Sequence, residues 1–561
     1  MPAAILLTLV FLISYAPWQL GEHELSWREG YVVAQAQGVQ FDPLPVVTAH
    51  GEAIPNVQPL LPLLARGLIE LGCPAELSGR VLSLLALASL AVIVFTVTCR
   101  TRNCPAAGAC AGAMLISSIL ALDKTQEGFA NWLFVLIMFS GHLLWYYFAA
   151  LRGEWSRAWL TGFAACALGF YLLGVLSLIF FLIPLVFMRR PLGIFSRLRE
   201  RGVMFGIALL LLSALLWYLP YHFEGVKVAL IYPRSSMLDM HDYLQHLLTF
   251  PVDMGIRLLP WALLAWAPFC VAFQTLDTTP MFSRFLRTIF LVNFFLLWIT
   301  PIDDVYAWLI LLPPLAIMTG LNYELAIRRY GNFFCKLANI TAMVLLPGSA
   351  VVLLSFFLLP AEKLERILDV EYPLLYSDNF GFTVQGVAAG ILLLLTALII
   401  WRMRSKPPVW CYFLLLTTAP MLVYNCAVLP YRAQEQPRRD RAAVLSQALL
   451  QEEVPADTVL YKFELYNLFT ESVYLQRQVQ KINSYSELPK ADQPVVYVLT
   501  GAFPNCPERS WRSLLAQPLP VRGLKVNLWR GQWQEKSAPE RKRSPLLEEI
   551  LQSSSRKGSN L

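Results

Sequence analysis

Apolar residues fill most of the first 430 or so positions in long runs, each closed by a short polar or basic stretch. A helix needs about 20 mostly apolar residues to cross a bilayer. On that pattern the chain predicts about thirteen transmembrane helices: 3–20, 78–99, 105–122, 128–150, 158–172, 174–188, 203–221, 258–275, 285–300, 304–322, 335–359, 381–401 and 408–429. The pair 158–188 is one apolar run of thirty-one residues with Gly169 and Gly174 near its middle. Two short spans with a tight turn and one long tilted helix fit that length equally well.

Charge decides between them. With two spans, one side of the membrane collects seventeen basic residues in short loops, including Arg189, Arg190, Arg197, Arg199 and Arg201. The other side holds nine before position 430, over roughly twice the loop length. Lys and Arg concentrate in cytoplasmic loops, so the denser set is read as cytoplasmic. The loops 21–77, 222–257 and 360–380 then face outward, as does everything after 429. The first span lacks a basic n-region and a small-residue cleavage site, and is read as uncleaved.

After position 430 the pattern changes. A helical stretch at Ala442–Glu453 precedes strand-like runs at Thr458–Phe463, Pro494–Thr500 and Gly523–Trp529, with a helical run at Tyr466–Gln476. This predicts a small soluble α/β domain over 430–530, periplasmic by the topology above. The charged, Ser-rich stretch 531–561 is predicted to be disordered.

Composition agrees with a polytopic membrane protein. The chain is 57% hydrophobic and only 15% charged, against roughly 25% charged in soluble domains. The net charge of +7 is too modest to indicate nucleic-acid binding, and the ten cysteines show neither metal-ligand spacing nor a disulfide framework.

The candidate chemistry is confined to one side. The first loop reads Glu22-His23-Glu24-Leu25-Ser26-Trp27-Arg28-Glu29-Gly30-Tyr31 and runs on through Asp42, His50 and Glu52 to Asn56-Val57-Gln58-Pro59-Leu60. Glu29 opens a short amphipathic stretch with Tyr31, Val32, Val33 and Ala36. A second outward junction carries Asp123 and Lys124, and the 222–257 loop carries Arg234 and ends at Arg257. Carboxylates there can accept a proton from a hydroxyl, while Arg and Lys can hold a phosphate. His142, inside the fourth span, is read as a packing residue. No charge falls near the midplane of a span, which argues against an ion-coupled transporter.

The order of these features resembles the GT-C glycosyltransferases, in the branch of the protein O-mannosyltransferases and the aminoarabinose transferase that modifies lipid A. Arg28-Glu29-Gly30-Tyr31 stands at the branch's first acidic motif and Val57-Gln58-Pro59-Leu60 at its Lys-Pro-Pro-Leu motif. Asp123 stands at the second Asp and Pro260-Trp261 at the Pro-Trp pair. Thr300-Pro301-Ile302-Asp303-Asp304-Val305-Tyr306 leads into Leu311-Leu312-Pro313-Pro314-Leu315, matching the late turn and Pro-rich span. The chain departs at Arg28, Val57 and Leu173, where the branch usually has Asp, Lys and Lys.

The resemblance implies a multi-pass protein of the inner (plasma) membrane of a bacterium with a periplasm. It implies inverting transfer of a sugar from a polyprenyl-phosphate donor to a lipid, glycan or protein acceptor, as in lipopolysaccharide modification. Glu29 and Asp123 would be the catalytic carboxylates. Arg257, Arg234, Lys124 and Tyr31 would bind substrate or phosphate. No cofactor is expected, and no ligand cluster demands a metal. Two alternatives stand beside this reading: a lipid or sugar-lipid transporter, and a non-catalytic relative of the transferase fold.

Overall fold

The computed structural model describes residues 2–21, 23–41, 45–54, 59–125, 131–188, 194–223, 225–226, 240–300, 305–358, 384–402, 407–428, 436–463, 468–489, 493–521 and 524–534. Arg234, the 360–380 loop, Asn56-Val57-Gln58 and the tail from 535 lie outside these residues. The chain divides into two compact units, one of 1–49 and 53–438, the other of 50–52 and 439–561.

The first unit is a helical assembly. Six of its described helices are long and apolar enough to cross a membrane, and Ala3–Pro17, Pro105–Ser117, Leu176–Phe187 and Gly386–Arg402 are shorter apolar helices. Helix α1 (Pro2–Gln19) is followed by α2 (Trp27–Gln37), by the strands β1 (Val39–Phe41), β2 (Pro45–Ala49) and β3 (Glu52–Ala53) in that order in one sheet, with β1 and β2 antiparallel, and by α3 (Leu60–Glu70). Helix α4 (Ala75–Arg102) then runs 28 residues. The sequence Pro-Ala-Ala-Gly-Ala-Cys-Ala-Gly-Ala builds α5 (Pro105–Ser117), buried from Ala107 to Ser117. Its small side chains let backbones approach closely, since dispersion at short range is what drives helices together in lipid. A Cβ placed on Gly320 would stand 2.6 Å from the Ala107 carbonyl oxygen.

The predicted span 105–122 breaks at Ser118. The Ser118 hydroxyl accepts the Ala121 N–H and starts a new short helix, α6 (Ile119–Lys124). This side-chain bond gives the backbone an alternative to continuing the first helix. Helix α7 (Asn131–Tyr146) follows. Helices α8 (Trp155–Leu173) and α9 (Leu176–Phe187) are separated at Gly174, which has φ +62°, a region glycine enters freely. The two fold back on each other: Ser177 donates to the Cys166 carbonyl, and a Cβ on Gly162 would meet Phe181. Between them and α7, His142 donates from Nδ1 to the Met138 carbonyl at 2.9 Å and stacks on Phe181 at 4.2 Å, a packing position.

Two segments depart from the expected pattern. Residues 240–257, assigned to a loop, form α11 (Met240–Arg257), after α10 (Arg201–Phe223). The predicted span 258–275 is instead a chain of short turns: α12 (Ala262–Ala265), a 3-10 turn at Ala267–Phe269 and α13 (Val271–Gln274). Helix α11 and the 262–269 segment meet at 108°. Pro260 and Pro268 lack the N–H that a continuous helix needs at each of those positions. After α14 (Pro280–Ile299), the runs predicted as spans 304–322 and 335–359 are joined in α15 (Leu312–Leu358), 47 residues long. That is about 70 Å of helix contour, more than twice the hydrocarbon thickness. Residues 323–334 contain no proline and only one glycine, so the polar stretch between the runs stays helical.

The second unit is a small α/β domain, as the alternation of runs predicted. Its sheet has the order β5 (Val479–Ile482), β4 (Leu460–Phe463), β6 (Val495–Thr500), β9 (Leu524–Trp533), β7 (Arg509–Ser513), with β8 (Leu519–Val521) on β9. Strand β4 is parallel to β5 and β6, and the remaining pairs are antiparallel. Tyr497 and Leu499 face one apolar cluster and Val496 and Val498 the other. Burial on both faces is why β6 reads as an unbroken apolar run. Strand β9 extends through Trp533, so the domain outlasts the predicted boundary at 530. Strands β5, β7 and β8 were not predicted.

Candidate functional site

The first polar segment is organised by a capping box. The Ser26 hydroxyl accepts the Glu29 N–H, and Glu29 Oε2 accepts the Ser26 N–H at 2.8 Å, which satisfies the open N–H groups at the start of α2. Ser-x-x-Glu before an apolar stretch is the sequence signature of this arrangement, a signal that the reading of the loop above did not use.

Glu29 has a second engagement. Arg80, near the start of α4, donates from Nε to Glu29 Oε1 at 2.9 Å and from Nη2 to Oε2 at 3.2 Å. Its guanidinium also reaches the carbonyls of His23 and Glu24 at 3.3–3.5 Å. Both side chains are buried, Arg80 at 1% exposure and Glu29 at 4%. Sequence reasoning missed Arg80, although a charge at the first turns of an apolar run is a signal worth weighing. A fork-shaped cation inside the protein matches a carboxylate bidentately and leaves little of either ion unsatisfied. Tyr31, two residues on, packs against the small cluster of Val39, Val47, Ile54 and Leu63.

Asp123 is placed differently. It lies on α6, and Arg257 from the last turn of α11 donates to its Oδ2 at 2.7 Å. Both groups are partly open, 41% exposed for Asp123 and 29% for Arg257. The guanidinium also lies 5.6 Å from the Trp308 ring centroid, and Phe250 of α11 packs edge-on against the same ring. Two indole N–H bonds hold this corner: Trp261 to the Ser117 hydroxyl and Trp132 to the Thr125 hydroxyl. The fold thus brings Asp123 and Arg257 together across 134 residues, which no local pattern announces. Lys124 is the last residue of α6. A half-exposed carboxylate beside a half-exposed guanidinium can take up a proton and an anion at one place.

A third cluster lies in the second unit, which includes His50–Glu52. The Ser472 hydroxyl donates to the Phe469 carbonyl and therefore accepts from His50 Nε2 at 2.8 Å. The imidazole stacks on Phe469, and Lys462 Nζ lies 4.7 Å from the same ring centroid. Burial, with the Lys462 charge second, lowers His50 to about 3. Burial also lowers Lys462 to about 8, with Glu52 opposing and Lys481 adding to the shift. Lys481 closes the tip by donating to the Glu52 carboxylate at 2.8 Å and, through its backbone N–H, to the His50 carbonyl.

No family model matches this chain, and no curated protein matches it by sequence. Solved structures do match. The crystal structure of ArnT from Cupriavidus metallidurans bound to undecaprenyl phosphate superposes with a TM-score of 0.61 at 16% identity, covering 94% of this chain and 97% of that one. The same protein in the apo state gives a TM-score of 0.63 at 13% identity, covering 94% and 98%. The chain therefore shares the fold of ArnT over nearly its whole length.

Proposed function

We propose that this chain is an inverting glycosyltransferase of the inner membrane that moves a sugar from a polyprenyl-phosphate donor to a hydroxyl-bearing acceptor at the outer face. The observation that carries the reading is the partly open Asp123–Arg257 pair on a fold shared with a protein solved with undecaprenyl phosphate. The donor phosphate competes with Asp123 for Arg257, since both are anions suited to the guanidinium fork. Its arrival releases the carboxylate toward the acceptor. The acceptor oxygen then attacks the anomeric carbon, and its proton passes to Asp123. The bond from that carbon to the phosphate oxygen breaks, and the lipid phosphate leaves with the electron pair, held by Arg257; Lys124, next to Asp123 in the sequence, adds a second positive charge to this stretch of chain.

Glu29 takes a different part from the one its motif position implies. Its oxygens are engaged by Arg80 and Ser26, and it is buried. It positions the first loop and accepts no proton from substrate. Tyr31 is likewise a packing residue of that loop.

The test is transfer of a labelled sugar from undecaprenyl phosphate to acceptor extract by reconstituted protein. Asp123→Asn is expected to cost about 100-fold or more, and Arg257→Gln to raise the donor concentration required. Full transfer by both variants would overturn the assignment. Movement of lipid across the bilayer without transfer would favour the transporter.

A further inference from the structure

A cavity of about 810 Å³ lies between α4, α7 and the start of α14. Ile93, Val97, Leu143, Leu144, Met281 and Phe282 form most of its wall, and Arg100 lines one end. It opens to the side of the helix assembly, where Leu144 is 46% and Leu151 67% exposed. Two more cations stand at the Arg100 end. Arg152 lies 4.9 Å from the ring centroid of Tyr147, which lines the cavity, and Arg102 donates to Thr278, next to the lining residue Thr279. Among the described residues, none of the three arginines forms an ion pair with a carboxylate.

This place is remote from the loop held by Glu29 and Arg80. Arg80 and Arg100 belong to the same helix, twenty residues apart. That is roughly 30 Å of rise, close to the hydrocarbon thickness of a bilayer. The cavity therefore sits at the opposite membrane surface, on the side whose loops carry the denser basic charge.

We infer that this cavity is a binding site for an anionic glycerophospholipid of the leaflet opposite the Asp123–Arg257 pair. One acyl chain lies in the apolar trough, and the headgroup phosphate sits against Arg100 with Arg152 and Arg102 at the rim. The charge complementarity selects the occupant. An apolar trough alone takes any acyl chain, whereas arginines with no carboxylate partner among the described residues favour an anionic headgroup over a zwitterionic one at a membrane surface.

The experiment is native mass spectrometry of the purified full-length protein titrated with phosphatidylglycerol or phosphatidylcholine of matched chains. Wild type is expected to retain one phosphatidylglycerol in preference to phosphatidylcholine. Arg100→Gln should weaken phosphatidylglycerol retention about fivefold and leave phosphatidylcholine unchanged. Leu144→Trp, which replaces a half-exposed wall residue with a bulkier one, should reduce retention of both. Unaltered thermal midpoints would establish that both variants are folded. Equal retention of the two lipids by wild type would overturn the inference, as would unchanged binding in both variants. So would stoichiometric displacement of phosphatidylglycerol by undecaprenyl phosphate.

Discussion

Replacing Arg80 by Met tests whether Glu29 is a structural carboxylate. The substitution keeps an unbranched apolar stem and removes the cation. Glu29, 4% exposed, then loses the donors at 2.9 and 3.2 Å from Arg80, and of the bonds described above keeps the Ser26 N–H. Breaking a buried pair by deleting one partner costs about 3–5 kcal/mol, because an uncompensated charge stays in the interior. In a chain of this size that loss lowers the thermal midpoint by about 3–5 °C. Glu29→Gln strands Arg80 in the same way and should cost a similar amount. The double variant removes both ions and should return to within about 1–2 kcal/mol of wild type, so the two effects are strongly non-additive. The assay is thermal unfolding of purified protein in detergent, read as a double-mutant cycle. Additive losses, or an Arg80→Met protein as stable as wild type, would refute the reasoning. A Glu29→Gln variant that unfolds like wild type yet loses transfer by about 100-fold would restore Glu29 as the base.

Asp123→Asn should leave the thermal midpoint nearly unchanged, since its pair is partly open and screened by solvent, while transfer falls steeply. Gly320→Ala should destabilise the packing of α5 on α15 by about 1–3 kcal/mol, because the new Cβ would meet the Ala107 carbonyl at 2.6 Å; the thermal midpoint reads it. In the second unit, His50 falls from 6.5 in the unfolded chain to about 3. The unfolded state then binds more protons between those values, and the unit loses stability as pH drops from 6.5 toward 3. Lys462 falls from 10.5 to about 8, so the unit gains stability as pH rises through that window, by up to about 3 kcal/mol. Hydrogen–deuterium exchange of the C-terminal unit at several pH values measures both slopes, and Lys462→Met should flatten the alkaline one.

Much of the architecture was legible because its signals are local. Span-length apolar runs, the glycine break at Gly174 and the unbroken apolar run at Val495–Thr500 each depend on neighbours in sequence. The misreadings share a cause. Apolar content says that a segment is buried in lipid or protein, but does not say whether it is one straight helix. Thus 258–275 was read as a span where Pro260 and Pro268 impose turns. The stretch 323–334 was read as a loop because it is polar, although nothing in it stops a helix.

The candidate site divides along the same line. The sequence alone determined that a short amphipathic stretch follows Glu29 in the first loop and that the loop's charges lie between two apolar runs. It also determined that Asp123 and Lys124 lie on a short polar junction between two apolar runs. Which carboxylate is buried and which is partly exposed could be decided only by the tertiary structure. Arg80 reaches Glu29 from 51 residues away and Arg257 reaches Asp123 from 134. The availability of a carboxylate depends on the cations and burial that surround it in space. Those are set by how helices pack, and residue order carries no direct record of that.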